Sequence, residues 1–587
     1  MCCNNVYYKK NIYFEFMKEK IDLVSNPKKS FFTLTLPIIA FCIFDAIYGI
    51  VDLLWVSKIN ADAFYALGMS IPFVTFIFSM GDSIGQGTNS IMSRFIGSED
   101  YESSYNALIH GLIACNVIWF IIILLFLFVY GVLFYSVSEK SYVLIFDYLV
   151  PIIVFSYVFI FNNLFSETLQ AEGNSITPTT LIIVSNILNI ILDPIFIFYL
   201  DLGIKGLAYA TVISAFVVFI PILYLYLSGR TKVPLSLNYY KFRPYIIIEI
   251  LKVALPNFLD NALWLISASY INATLLISMN TMGPILYSIA NKLKNMLVLH
   301  VRAFGRALMS VIGHLFGARK FDEINAMYKY VLKLSFFTTL AVMILFFIAR
   351  NYIFGLFGIT EMQTEIFWIA VGGIVIILAV PFSMISSKML DGFGKSMYSL
   401  LFTAVKIMLE ICLIYVLGLL LKNVCSVLIS IIITEVVIGI VYYLFLRYLF
   451  KNFDKKYDGK STVKNFKKED KSIDEIKSDD GFDSSVLKRG LLLLALILVV
   501  ITVLLILYMC INLHFNSILF VAIVSIICII MGYYLSRKMD IMKLHVIEVF
   551  ILTVLFFLLL KYVSYITTVL FIVISVLLLY ILSILHN

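Results

Sequence analysis

Sixteen apolar runs of about 20 residues, the first near 31–57 and the last near 563–586, leave this chain one kind of surroundings to fold in. Of its 587 residues 62% are hydrophobic and only 14% charged, so a water-facing exterior for so large a core is out of reach. The runs are continuous and do not alternate, which excludes a β-barrel and predicts an all-α polytopic membrane protein. The net charge of +8 is spread over connections and therefore bears on topology, not on nucleic acid. Eight cysteines lie scattered, with no CxxC, and read as small buried hydrophobes; no disulfide or metal role is expected.

Connections divide the chain. Residues 1–30 form a basic lead without a signal-peptide core, and 31–228 hold six spans. A connection at 229–244 carries Arg230, Lys232, Lys241 and Arg243, and 245–450 hold six more spans. A Lys-, Asp- and Ser-rich linker covers 451–489, and four further spans lie within 490–587. Basic residues in the lead, after the sixth span and around Arg319 and Lys320 place both termini in the cytoplasm of a plasma-membrane protein. The two sets of six echo one another. Pro37 answers Pro256, Gly85 and Gly97 answer Gly305 and Gly317, and QAEGNS (170–175) answers MLDGFGKS (389–396). An even number of spans per copy gives two parallel bundles related by an axis along the membrane normal, with a cleft between them. The last four spans hold little that is polar beyond His545, Glu548 and Lys561, and read as a lipid-facing accessory bundle.

Charge at membrane depth singles out chemistry, since one carboxylate there costs roughly 2.5–3.5 kcal/mol on insertion scales. In SNILNIILDPIFIF (185–198), Asn186, Asn189 and Asp193 recur at i, i+3 and i+7 and stack on one helix face, with Pro194 loosening the backbone beside the acid. Asp45, Tyr48 and Asp52 repeat that spacing in the first span. Two carboxylates with amide and hydroxyl oxygens suit Na+; equally, a carboxyl pair can take a proton.

These residues resemble the multidrug and toxic compound extrusion (MATE) family over about residues 31–450. The likeness rests on LPIIAFCIFDAIYGIVDLLWV, GQGTNSIMSRFIG, NILNIILDPIFIF and LGIKGLAYATVIS in that order. It implies two six-helix bundles facing a central cavity, and export of amphipathic, often cationic compounds in exchange for Na+ or H+. It also implies an ion site of Tyr48, Asp52, Asn189, Asp193 and Thr211, with Asn186 as a possible addition. Asp45 departs from it, standing where the family commonly has glutamine. It is open to a second proton, to cationic cargo, or to a hydrogen-bonded protonated acid.

The second bundle has no matching acid pair, since Ile271 faces Asp52 in the repeat. Its cleft candidates are Asp260, His300, Arg302, Arg306 and Glu410. The bases need carboxylate partners from Asp260 or Glu410, or an anionic group on the cargo. Lys406 and Glu410, four apart, are expected to pair on one helix, and His300 to be a packing histidine. Expected partners are membrane lipid and small-molecule substrates, with no nucleic acid, no organic cofactor and a monomeric state. No GxxxxGK[ST] run is present to bind ATP. A flippase or exporter of lipid-linked oligosaccharide shares the architecture and remains the alternative; a diphosphate-using enzyme would want DDxxD, and the adjacent pair Asp479–Asp480 lies in the linker.

Overall fold

Helix boundaries follow local chemistry. Asn26 accepts a hydrogen bond from the Lys29 N–H at 3.2 Å with Pro27 at the first position, so α1 (Pro27–Ser57) begins within the expected lead, one turn before residue 31. Asn60 caps α2 (Ala61–Gly97) through Ala63 N at 2.7 Å, and Asp100 caps α3 (Tyr101–Ser136) through Ser103 N at 3.1 Å. The computed structural model describes residues 23–457 apart from 137–138, 234, 236–239, 280–294, 296, 357–362 and 422–424. The four C-terminal spans, most of the 451–489 linker, Lys292 and Lys294 lie outside the described residues.

The fourth expected span is two helices, α4 (Glu139–Val154) and α5 (Ser156–Ala171), bent by 49°. Pro151 has no N–H to offer the preceding turn, and the helix parts four residues later. Next come α6 (Ile176–Pro194), a π turn at Ile195–Tyr199, and α7 (Gly203–Leu227). Pro194 again removes a donor, and the backbone widens so that Leu200 N reaches Ile195 O at 2.9 Å. Gly206 lets α7 start against that turn, where a Cβ would strike the Phe196 carbonyl. The second half holds α8 (Pro244–Met279), α9 (Leu299–Gly317), α10 (Phe321–Leu356), α11 (Gln363–Gly392), α12 (Ser396–Leu421) and α13 (Cys425–Tyr457). The last of these carries helix seven residues into the charged run beyond residue 450. Among the described residues there is no strand, and eight helices are long and apolar enough to cross a membrane, nine with the bent pair counted as one.

The repeat is written in the backbone. Helix α2 ends in a Schellman turn, with Asp100 N to Phe95 O at 2.9 Å and Glu99 at φ 60°. Helix α9 ends in the same turn 220 residues later, with Lys320 N to Leu315 O at 2.9 Å and Arg319 at φ 60°. Gly173 (φ 83°) and Gly394 (φ 71°) match at the ends of α5 and α11. Packing repeats likewise: α1 on α6, α2 on α5 and α6 on α7 correspond to α8 on α12, α9 on α11 and α12 on α13.

The halves meet where α1 and α2 pack on α9 and α8. Lipid tails are as apolar as leucine, so small residues and hydrogen bonds must hold this seam. At the end carrying the four turns, Gly97 lies against the His314 carbonyl and Gly317 against that of Arg94, with no room for a Cβ on either. Asn89, Ser90, Ser93 and Ser310 are fully buried there. Toward the other end Asp45 and Arg302 are exposed. The seam is tightly packed at the turn end and carries exposed charges toward the opposite one.

Candidate functional site: a carboxylate chamber and the seam beside it

Helix α1 brings Tyr48 and Asp52 to a face of α6, and α7 closes the chamber with Thr211. Asp193 is fully buried, Asn189 2% exposed and Thr211 9% exposed. The Asn189 amide donates to Asp193 Oδ2 at 3.1 Å and accepts from Thr211 N at 3.1 Å in the orientation that satisfies both ends. The Thr211 hydroxyl donates to Leu207 O at 3.0 Å. Asp52 neighbours both Asp193 and Tyr48, and Tyr48 neighbours Thr211. Asp193 Oδ1 has no donor. Tyr148 of α4, unremarked in the sequence, stands among these groups as a further buried hydroxyl. Two neighbouring carboxyls cannot both stay ionised without a cation or a proton between them.

The remaining candidates go elsewhere. Asn186 stays outside this group, and its buried amide nitrogen has no partner. Asp45 shares a helix face with Tyr48 and Asp52, but a seven-residue rise of about 10 Å puts it at another depth. Its charged neighbours there are Arg306 and Arg302 of α9. Arg306 does not seek Asp260 or Glu410. It bonds Asp82 Oδ1 of α2 at 2.8 Å and lies 4.0 Å from Glu167 Oε1 of α5, both in the first bundle. Lys406 pairs across helices with Glu435 Oε1 of α13 at 2.5 Å, and Glu410 is only a further charge beside it. Asp260 lies near Thr403 with Lys388 and Lys406 as charged neighbours, and its Oδ1 has no partner. His300 Nε2 meets Thr339 Oγ1 at 3.0 Å and its ring packs edge-on to Phe304, the packing role expected.

Charged groups that sequence reasoning passed over form a network through the seam. Asn89 Nδ2 donates to Glu167 Oε2 at 2.8 Å, and Ser310 Oγ to Asn89 Oδ1 at 3.1 Å. Lys388 of α11 bonds Asp391 Oδ2 at 2.8 Å and Asn257 Oδ1 at 3.2 Å, and also donates to Gln86 of α2. Ser90 Oγ donates to Asp391 O at 2.5 Å, and His314 Nε2 pairs with Ala171 O at 2.8 Å.

A family model described as MatE matches residues 37–195 and 286–416, one stretch in each half. The chain belongs to the MATE family. Multidrug export protein MepA of Staphylococcus saprophyticus is 24% identical over 251 residues, 42% of this chain and 56% of that protein. MepA of Staphylococcus aureus is 25% identical over 239 residues, 40% of this chain and 53% of that protein. The chain thus spans about half the length of the curated relatives it matches. Solved structures cover more. A MATE in the straight conformation superposes with TM-score 0.71 at 26% identity, over 73% of this chain and 97% of that one. A MOP superfamily transporter from Pyrococcus furiosus, its binding pocket reported as reversed in polarity, gives TM-score 0.69 at 26% identity over 73% and 97%. In this MATE chain the carboxylate chamber lies in the first half of the repeat, and the second half carries the Lys406–Glu435 pair instead. At an offset of 221 residues, Lys406 and Glu435 replace the hydroxyl pair Ser185 and Ser214, whose bond runs from Ser185 Oγ to Ser214 O at 2.6 Å.

Proposed function

We propose that this chain is a secondary active antiporter of the plasma membrane, with both termini cytoplasmic, exporting amphipathic, positively charged small molecules by alternating access. The observation that carries this is the meeting of Asp52 and Asp193, from two helices, with Tyr48, Asn189 and Thr211 inside one bundle. Proximity of the two carboxyls supports a proton as the coupling ion, because one shared proton satisfies both at once. Na+ held by Asp52, Asn189, Asp193 and Thr211 is the second reading, favoured by the amide and hydroxyl oxygens.

In the cycle, an ion entering from the cleft neutralises the chamber, α1 bends at Pro37, and cargo leaves. The seam then opens at the turn end, and new cargo displaces the ion inward. One charge crossing 100 mV supplies about 2.3 kcal/mol, roughly a 50-fold gradient of a neutral cargo; one-for-one exchange with a monovalent cation moves no net charge and draws on the ion gradient alone. Of the bases that would suit a lipid-linked oligosaccharide, Arg306 is engaged by Asp82 and Lys406 by Glu435, which leaves that alternative weaker support.

The test is efflux of a cationic dye from proteoliposomes under an imposed pH or Na+ gradient, wild type beside Asp193→Asn. A pH gradient should drive wild-type efflux, and Asp193→Asn should abolish it while dye binding persists. Efflux driven by Na+ alone would replace the proton; efflux driven by neither would remove the antiporter.

A further inference from the structure

Two charges on the open part of the seam serve neither the chamber nor the network: Asp45 of α1 and Arg302 of α9. We propose that they are the poles of a cargo subsite for amphipathic zwitterions, with a cationic centre against the Asp45 carboxylate and an anionic group against the Arg302 guanidinium. This rests on the exporter reading and deepens it.

Helix geometry places them. The Arg306 guanidinium lies over the Phe41 ring, 5.9 Å from its centroid, which holds this face of α9 against α1. Asp45 is one turn beyond Phe41, and Arg302 one turn before Arg306; successive turns share a face. Because the helices run in opposite directions here, both steps lead away from the closed turn end. Each charge is an electrostatic neighbour of the other, yet among the described residues no ion pair within 4.0 Å joins them. Both side chains are exposed. Among the described residues Arg302 has only a long contact to Asn295 Oδ1 at 3.5 Å, whereas the other nearby acid, Asp82, is committed to Arg306 at 2.8 Å.

Opposite charges held apart across a cleft are each solvated, and a ligand offering both signs can replace both shells at once. A purely cationic ligand meets Asp45 but leaves Arg302 as an unanswered like charge. The Phe41 ring, one turn toward the closed end from Asp45, supplies apolar surface beside the poles.

The experiment uses the full chain in detergent and fluorescence polarisation with two rhodamines, one bearing a free benzoate and the other its ethyl ester. The free acid is a zwitterion and the ester a cation. Wild type should bind the free acid roughly tenfold more tightly, the worth of one charge-assisted contact. Arg302→Gln should erase that preference by weakening the free acid alone, and Arg302→Lys should keep it. Asp45→Asn should weaken both dyes alike. Equal affinities in wild type, or a preference for the ester, with gradient-driven efflux of the ester intact, overturn the dipolar subsite and leave the antiporter standing. Wild type that effluxes neither dye under either gradient overturns both.

Discussion

Arg306 and Glu172 show how single residues answer burial. Arg306 reaches across the seam to Asp82 and Glu167, and its side chain is 22% exposed against 2% for Glu167. Arg306→Gln should therefore strand a buried acid and lower stability by roughly 3 kcal/mol, the low end for fully buried pairs. Thermal unfolding in detergent checks this, and Asp82→Asn added to Arg306→Gln should recover part of the loss. Glu172 sits in the turn after α5, where its carboxyl accepts from Lys232 N at 2.9 Å and Val233 N at 3.2 Å and ties the inter-bundle connection to the first bundle. Burial pushes the Glu172 carboxyl up to about 8, against the pull of those donors and of the Lys232 ammonium. The folded protein thus holds that proton more tightly than the unfolded chain does. Glu172 contributes stability fully below its unfolded value, about 4.5, and loses it as pH rises through about 8. Glu172→Gln should flatten the dependence of melting temperature on pH across that window; an unchanged slope would count against the carboxyl as its source.

At the scale of elements, the crossing of α2 and α9 depends on Gly97 and Gly317 lacking side chains. Each would drive a Cβ into the other helix's backbone. Gly97→Ala is expected to lower the melting temperature by the equivalent of about 1–3 kcal/mol through overpacking. Gly49→Ala in α1 is the control. Nothing lies within 4 Å of a Cβ there, so helix propensity alone should make that change neutral or stabilising by up to about 1 kcal/mol. Equal effects of the two changes would show that the crossing is not tight. The broken fourth span and the π turn after α6 belong to this scale too. In both, a proline removes one hydrogen bond and neighbouring helices absorb the distortion.

Across the whole molecule, the two halves match in backbone but oppose in charge. At equivalent positions of the repeat, acidic Glu167 corresponds to basic Lys388 and acidic Asp82 to basic Arg302, while neutral Gln86 corresponds to Arg306. Ion pairs cross the seam in both senses, Arg306 to Asp82 and Arg94 to Glu249, and that attraction supports a closed turn end. If so, Lys388→Gln combined with Arg306→Gln should open that end more often. Ser93→Cys, at a fully buried position in the seam, reports it through labelling by a maleimide added from that side. Labelling should rise several-fold in the double variant; an unchanged rate would show that the small-residue packing alone keeps the seam shut.

The amino-acid sequence by itself determined the apolar spans and their duplicated pattern, and set Tyr48 with Asp52 and Asn189 with Asp193 on shared helix faces, because apolar length and helical spacing can be read along the chain; Tyr148 and the break in the fourth span could not be. Charge partners were another matter. Lys406 was expected on Glu410 of its own helix and stands on Glu435 of the next; Arg306 was expected to meet Asp260 or Glu410 or an anionic group on the cargo, and finds two acids of the other bundle. Asp45 shares a helix face with Asp52 yet looks across the seam instead of into the chamber. Spacing along one helix fixes which side chains share a face, but only the crossing of helices settles what that face meets at each depth.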